Sequence, residues 1–250
     1  MATTKVYDSI VLGVTDIGES DLIVTFLTKD SGKIKCIAKG ARKSIKRFMN
    51  ALEPFTHLNA VIRSNARSDL FFLENASVKD GFEAIRTNYN NFVMASLCVE
   101  LVDFWCKEGQ KEQTIHRLLL WYLGSLASGA NHILCTLIFK TRLLDLCGFL
   151  PSLYRCSQCT SEITDHIVHY NPVSGQIYCK NCRDTKKLYK MGIVALKSLQ
   201  FWQRQSEDKI FRLKINSSAA EDAWNYLKAV HCNVLEKQPK TYNLIDKIVY

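Results

Sequence analysis

Between Lys33 and Arg47 the chain has no acidic side chain, and the next carboxylate is Glu53. Seven of those fifteen residues are basic: Lys33, Lys35, Lys39, Arg42, Lys43, Lys46 and Arg47. The amino end, Met-Ala-Thr-Thr-Lys-Val-Tyr-Asp, lacks the apolar stretch of a secretion signal. No apolar run is long enough to cross a bilayer. The greasiest stretch, Leu118 to Phe139, is broken by Gly124, Ser125, Ser128, Gly129, Asn131 and His132. These absences predict a cytoplasmic protein without a membrane anchor. Catalytic signatures are missing too. There is no Gly-x-x-x-x-Gly-Lys-Ser/Thr phosphate loop, no dinucleotide fingerprint, no Gly-x-Ser-x-Gly and no His-Glu-x-x-His. Internal repeats and low-complexity tracts are also lacking. The expectation is a globular protein that is not an enzyme.

What is present is a core-forming chain with an uneven charge. Apolar residues make up 47% and charged residues 23% of 250 positions, enough apolar surface for real cores. The net charge of +9 is concentrated at the two ends, because residues 81–150 carry equal numbers of basic and acidic groups. A dense positive run needs a polyanion or salt to offset its self-repulsion, and a nucleic-acid backbone is the natural partner. A solvated run that only confers solubility is the plainer reading.

The first 80 residues read as short strands. Val6, Asp8, Ile10, Leu12 and Val14 alternate with Tyr7, Ser9, Val11 and Gly13. Asp21–Thr28 is a second strand, Lys29-Asp30-Ser31-Gly32 a hairpin turn, and Lys33–Lys39 a third strand. The third strand has Lys33, Lys35, Ile37 and Lys39 on one face and Ile34, Cys36 and Ala38 on the other, as suits a half-buried antiparallel sheet. Phe55–Arg63 and Asp69–Asn75 supply two more strands. Five strands in so short a span fit a small closed barrel such as an OB-fold, with an SH3-like barrel or open sheet as alternatives. Asp16, Glu19 and Asp21 could hold a cation or form a turn that repels phosphate. Phe48, Phe71 and Phe72 are candidates for stacking on bases or for the core.

From Gly81 the apolar period becomes helical, through Phe82, Ile85, Phe92, Ala95, Leu97, Leu101 and Phe104. Thr114–Leu126, Ile133–Cys147 and Val194–Trp202 read the same way. Ser218-Ala-Ala-Glu221 signals the start of a last helix running to about Glu236, and Lys237–Tyr250 reads as a loosely held basic tail. The expected fold is α+β, in four parts. Residues 1–80 form a five-stranded OB-fold barrel that binds nucleic acid. Residues 81–155 are the first part of a helical domain, 156–182 an inserted four-cysteine, zinc-ribbon-like module, and 183–250 the second helical part with its tail.

Of ten cysteines, Cys36, Cys98, Cys106, Cys135, Cys147 and Cys232 stand singly in apolar surroundings and read as small core residues. The other four form two Cys-x2-Cys knuckles, Cys156/Cys159 and Cys179/Cys182, with 19 residues between them. That is metal-ligand spacing, and four thiolates close a tetrahedral shell around one structural Zn2+ with no position left for a reacting water. Two disulfides or a redox Cys-x-x-Cys pair are the alternatives. His166 and His169 read as exposed strand residues or spare ligands.

Taken in order, these pieces resemble the DNA repair protein RecO family. Gly18-Glu-Ser-Asp21-Leu-Ile-Val-Thr-Phe-Leu-Thr28, Ser31-Gly32-Lys33, Ala38-Lys39-Gly40-Ala41-Arg42-Lys43 and Leu52-Glu-Pro54-Phe55 look like its amino-terminal half. Leu143-Leu144-Asp145-Leu146-Cys147-Gly148-Phe149-Leu150-Pro151 and the two knuckles look like its second half. The resemblance implies a recombination mediator that binds single- and double-stranded DNA and anneals complementary strands. It implies action with RecR, and often RecF, to load recombinase on DNA coated by single-strand-binding protein, and a nucleoid-associated place in the cytoplasm. The seven basic residues of 33–47 are then the DNA contacts and the four knuckle cysteines the zinc ligands. A zinc-ribbon enzyme acting on nucleic acid, or an interaction scaffold with a basic patch, are the competing readings.

Overall fold

The computed structural model describes residues 3–65, 68–183, 187–207 and 209–245. The elements are β1 (Thr3–Ile17), β2 (Asp21–Thr28), β3 (Gly32–Ala38), α1 (Ile45–Phe48), β4 (His57–Asn65) and β5 (Ser68–Asp80), then α2 (Glu83–Arg86), α3 (Tyr89–Trp105), α4 (Gln113–Ala127) and α5 (His132–Leu146). After them come β6 (Ile167–Tyr170), β7 (Ile177–Tyr178), β8 (Tyr189–Gly192), α6 (Ile193–Arg204), α7 (Ser217–Val234) and α8 (Tyr242–Ile245). The fold is α+β. The chain divides into two compact units, residues 1–130 with 243–250, and residues 131–242.

In the first unit, five strands close a barrel in the order β1-β2-β3-β5-β4, the OB-fold arrangement. All neighbours are antiparallel except β3 and β5, which pair in parallel through Cys36–Phe71 and Ile37–Phe72. The hairpin turn after Thr28 forms as its sequence predicts. Its Gly32 has φ +64°, and a Cβ there would lie 1.8 Å from the Gln110 carbonyl oxygen, so no other residue fits. Val11, Val24, Phe26, Ile34, Cys36 and Leu58 fill the interior.

The face of β1 differs from its simple alternation. Val11 and Val14 both point into the barrel, because the register with β2 shifts between Val11 and Gly13. An extra residue at such a bulge flips every side chain beyond it to the opposite face. Ile10 and Leu12 are buried as well but lie outside that interior cluster, so this stretch is covered on both sides. In the same unit, α3 is buried almost all round, with Val93, Met94, Leu97, Leu101 and Val102 enclosed.

In the second unit, α5, α6 and α7 pack on one another, and a three-stranded sheet of order β7-β6-β8 carries the cysteine knuckles. The long helices α3, α5 and α7 begin with asparagine caps. Asn88, Asn131 and Asn216 accept from the backbone N–H of Asn91, Leu134 and Ala219 at 3.0, 2.9 and 2.8 Å. The Ser218/Glu221 capping box therefore does not start α7; Asn216 takes that place. The tail is not loose throughout. Tyr242 is fully buried, with Trp224 and the Lys140 ammonium against its ring, whereas residues 246–250 lie outside the described residues. His169 is buried, not exposed, because β8 pairs with β6 along its other edge, while His166 is exposed.

Candidate nucleic-acid interface and cysteine cluster

The basic run splits into two halves. Along β3, alternation turns Lys33 and Lys35 outward while Ile34, Cys36 and Ala38 face the core. Both lysines meet carboxylates, one near the end of α3 and one in the segment after it. Lys33 Nζ donates to Asp103 Oδ1 at 2.9 Å and to the Asp103 carbonyl at 2.6 Å, leaving its side chain 12% exposed. Lys35 Nζ lies 2.9 Å from Glu108 Oε1, and that hydrogen bond and charge raise its pKa. Gly109 N–H also donates to the Lys33 carbonyl at 3.3 Å, so this segment is tied to the strand.

Beyond Ala38 the situation reverses. Gly40 takes a left-handed conformation, Ala41–Lys43 forms a short 3-10 turn, and Ser44 caps α1 by accepting from Arg47 N–H at 3.3 Å. Asp21 anchors the start of this loop. Its Oδ1 accepts from Gly40 N–H at 2.7 Å and from Ser20 Oγ at 3.0 Å, and these bonds lower its pKa. Asp16 helps to hold the loop as well, pairing with Arg42 at 2.9 Å. Lys39, Arg42, Lys43, Lys46 and Arg47 are all exposed. Among the described residues, no salt bridge joins Lys39, Lys43, Lys46 or Arg47. The Arg47 guanidinium instead donates to the Lys39 carbonyl at 2.6 Å and covers the Phe48 ring at 4.7 Å.

The three phenylalanines separate cleanly. Phe48 is buried and Phe71 packs against the barrel core. Phe72 is half-buried on β5, with Lys39 Nζ 5.5 Å and the Arg63 guanidinium 5.1 Å from its ring centre. Ile37, Lys39, Arg47, Arg63, Phe72 and Glu74 line a shallow groove there. Arg63, held to Glu74 at 2.7 Å, comes from β4 and lies outside the basic run. Only the β4–β5 register brings it beside β3 residues.

In the second unit, the four knuckle sulfurs lie within 4.8 Å of one another. Cys159 Sγ and Cys179 Sγ are 3.7 Å apart, and no disulfide links the four knuckle cysteines. A tetrahedral shell with metal–sulfur bonds of about 2.3 Å has sulfurs about 3.8 Å apart, so the donor set and its span fit one zinc-sized ion. Each knuckle is shaped by its own backbone. Thr160 N–H donates to the Cys156 carbonyl at 2.9 Å, and Cys182 N–H to the Cys179 carbonyl at 3.1 Å. Hydrogen bonds from Ser161 hold the Cys159 thiol down to about 6, ready to act as a thiolate, while burial and the neighbouring sulfurs push Cys182 up to about 12. A cation at the centre removes that conflict.

Residues 1–82 match the family model described as Recombination protein O N terminal, and residues 86–243 match Recombination protein O C terminal. Among curated relatives, DNA repair protein RecO of Syntrophus aciditrophicus (strain SB) is 29% identical over 245 residues, covering 96% of this chain and 95% of the relative. The protein of the same name from Desulfosudis oleivorans is 31% identical over 254 residues, covering 96% of each. That of Anaeromyxobacter sp. (strain K) is 35% identical over 173 residues, covering 69% and 68%. Among the described residues, no helix is long and apolar enough to cross a membrane.

Proposed function

The chain belongs to the recombination protein O family, and from that premise we propose that this DNA-repair recombination protein is a mediator that binds DNA by charge neutralisation and performs no covalent step. The observation that carries this reading is the exposed set Lys39, Arg42, Lys43, Lys46 and Arg47 at the end of β3 and in the loop after it. Five cations within nine residues form a strip onto which a phosphate chain can lay. Lys33, paired with Asp103 and only 12% exposed, contributes less, whereas Lys35 and Arg42 are paired with Glu108 and Asp16 but stay about half exposed and open to phosphate. Arg63, paired with Glu74, stands beside the strip. Phosphate contacts carry no sequence information, so binding is sequence-independent.

Annealing follows from the same physics. Two strands repel through their phosphates; cations placed between them lower that repulsion and leave the bases free to pair. Phe72, between Lys39 and Arg63, offers a ring face on which a base can stack. We assign Cys156, Cys159, Cys179 and Cys182 to one structural Zn2+, which cross-links the two knuckles and leaves no open position for catalysis. In the cell we place the protein in the cytoplasm on single- and double-stranded DNA, with RecR, RecF and single-strand-binding protein as partners in loading recombinase.

Strand annealing of complementary oligonucleotides, with and without single-strand-binding protein, tests the activity. The variant carrying both Lys39→Glu and Arg42→Glu tests the site. Both side chains are exposed, so the barrel folds, and affinity for single-stranded DNA falls at least tenfold at low salt. Unchanged affinity in a folded double variant defeats the assignment.

A further inference from the structure

Three polar side chains from three elements of the first unit meet at one point, and none belongs to the cation strip or the cysteine cluster. Asp8 lies on β1, His57 opens β4, and His116 stands near the start of α4. In the β1–β4 register Asp8 faces Asn59 and Ile10 faces His57, so Asp8 and His57 are diagonal neighbours on one face. One ligand atom from each of the three residues lies within 4.8 Å of the others. His57 Nε2 is 2.6 Å from Asp8 Oδ1, and the two imidazole rings are 6.2 Å apart at 72°.

His116 is the informative member. It is 2% exposed, yet among the described residues its Nε2 has no hydrogen-bond partner. A buried ring nitrogen that has lost its water and gained no partner needs an explanation, and an absent ligand is one. Burial also lowers the pKa of His116 to about 4, against the opposing pull of Asp8, and so keeps its ring neutral. A neutral imidazole is the form that ligates metal.

We propose that Asp8, His57 and His116 form a binding site for a divalent transition cation of the zinc class. Two imidazoles and one carboxylate suit zinc, cobalt or nickel, whereas magnesium and calcium take all-oxygen shells. Three protein ligands leave a fourth position for water. The ion can enter from solvent, because Asp8 and His57 side chains are 28% and 16% exposed. Lys79 is its competitor. Lys79 Nζ sits 3.0 Å from the same Asp8 oxygen, and a bound cation displaces it toward the water to which its side chain is already 35% exposed. The ion then ties β1 and β4 to α4 in addition to their packing.

The test uses the full chain with its cysteine cluster already loaded with zinc. Calorimetric titration with further Zn2+ is expected to show a second equivalent. Co2+ in that second equivalent gives a spectrum without thiolate-to-metal charge transfer. Asp8→Asn and His57→Gln each weaken this equivalent at least tenfold, and Lys79→Met tightens it several-fold. These three side chains are partly exposed, so the variants remain folded if His116→Phe does not. A wild-type protein that stops at one equivalent overturns the proposal. So does a second equivalent that shows thiolate charge transfer or is indifferent to both Asp8→Asn and His57→Gln.

Discussion

The barrel and the cysteine module are both built on short antiparallel strands, but they reach stability differently. The barrel closes on itself and seals Val11, Val24, Phe26, Ile34 and Leu58 inside, so it has no open edge and an apolar interior of its own. The module has three short strands, one only two residues long, and encloses a smaller apolar set, chiefly Ile163, Val168, Tyr170, Ile177, Tyr178 and Met191. Its turn leans on α7 of the same unit: Tyr226 Oη donates to the Gly175 carbonyl at 2.9 Å and Asn233 Nδ2 to the Pro172 carbonyl at 3.0 Å. Gly175 has φ +69°, and a Cβ there would come within 2.7 Å of Val230 and 2.9 Å of Pro151, so the approach is close. A domain whose interior is sufficient can load its surface with charge; a segment whose interior is not needs a cross-link. The cation strip stands on the first kind of structure and the four thiols on the second.

The comparison can be broken by removing each support in turn. Chelation of the metal, or Cys159→Ser, is expected to unfold the module, because ion binding there is folding energy. Limited proteolysis would show cleavage within residues 156–182, while oligonucleotide binding by the barrel's cations persists. A well-folded, metal-free preparation contradicts this. The matching blow to the barrel is Phe26→Ala. Phe26 is fully enclosed, and the lost transfer energy and cavity cost about 3–5 kcal/mol, read as a drop in the denaturant midpoint.

A smaller effect sharpens the picture of α7, on which the module leans. His231 is completely buried, and burial, reinforced by the Lys140 charge, puts its pKa well below the ordinary histidine value. The unfolded chain therefore binds the proton more readily than the folded one. The stability that depends on a neutral His231 is complete above about pH 6.5 and is lost as pH falls below it, by up to about 1.4 kcal/mol per pH unit. Urea midpoints at pH 7.5 and pH 5.5 measure this together with the like contribution of His116, and His231→Leu reduces the difference.

How much of this was legible follows the range of each interaction. The β2–β3 hairpin, the alternation of β3 and the two knuckles are local patterns, readable from spacing alone. The bulge in β1 was not, because it is defined by pairing with β2. The neutralisation of Lys33 and Lys35 was not, because Asp103 and Glu108 arrive from some seventy residues away. Arg63 and Phe72 needed the barrel closed before they could be seen beside Lys39. The asparagine caps carried a usable signal, an Asn just ahead of each apolar run, which the Ser218/Glu221 pattern obscured. The orphaned nitrogen of His116 had none, since nothing in sequence says that a histidine will be buried beside Asp8 and His57.

The most direct test of the account is the salt dependence of single-stranded DNA binding. With about five phosphates engaged by Lys39, Arg42, Lys43, Lys46 and Arg47, log K falls with log salt at a slope near −3.5, about a hundredfold between 50 and 200 mM. A flat response, or a slope unchanged when Lys43 and Lys46 are both made glutamine, would show that these cations do not hold the DNA.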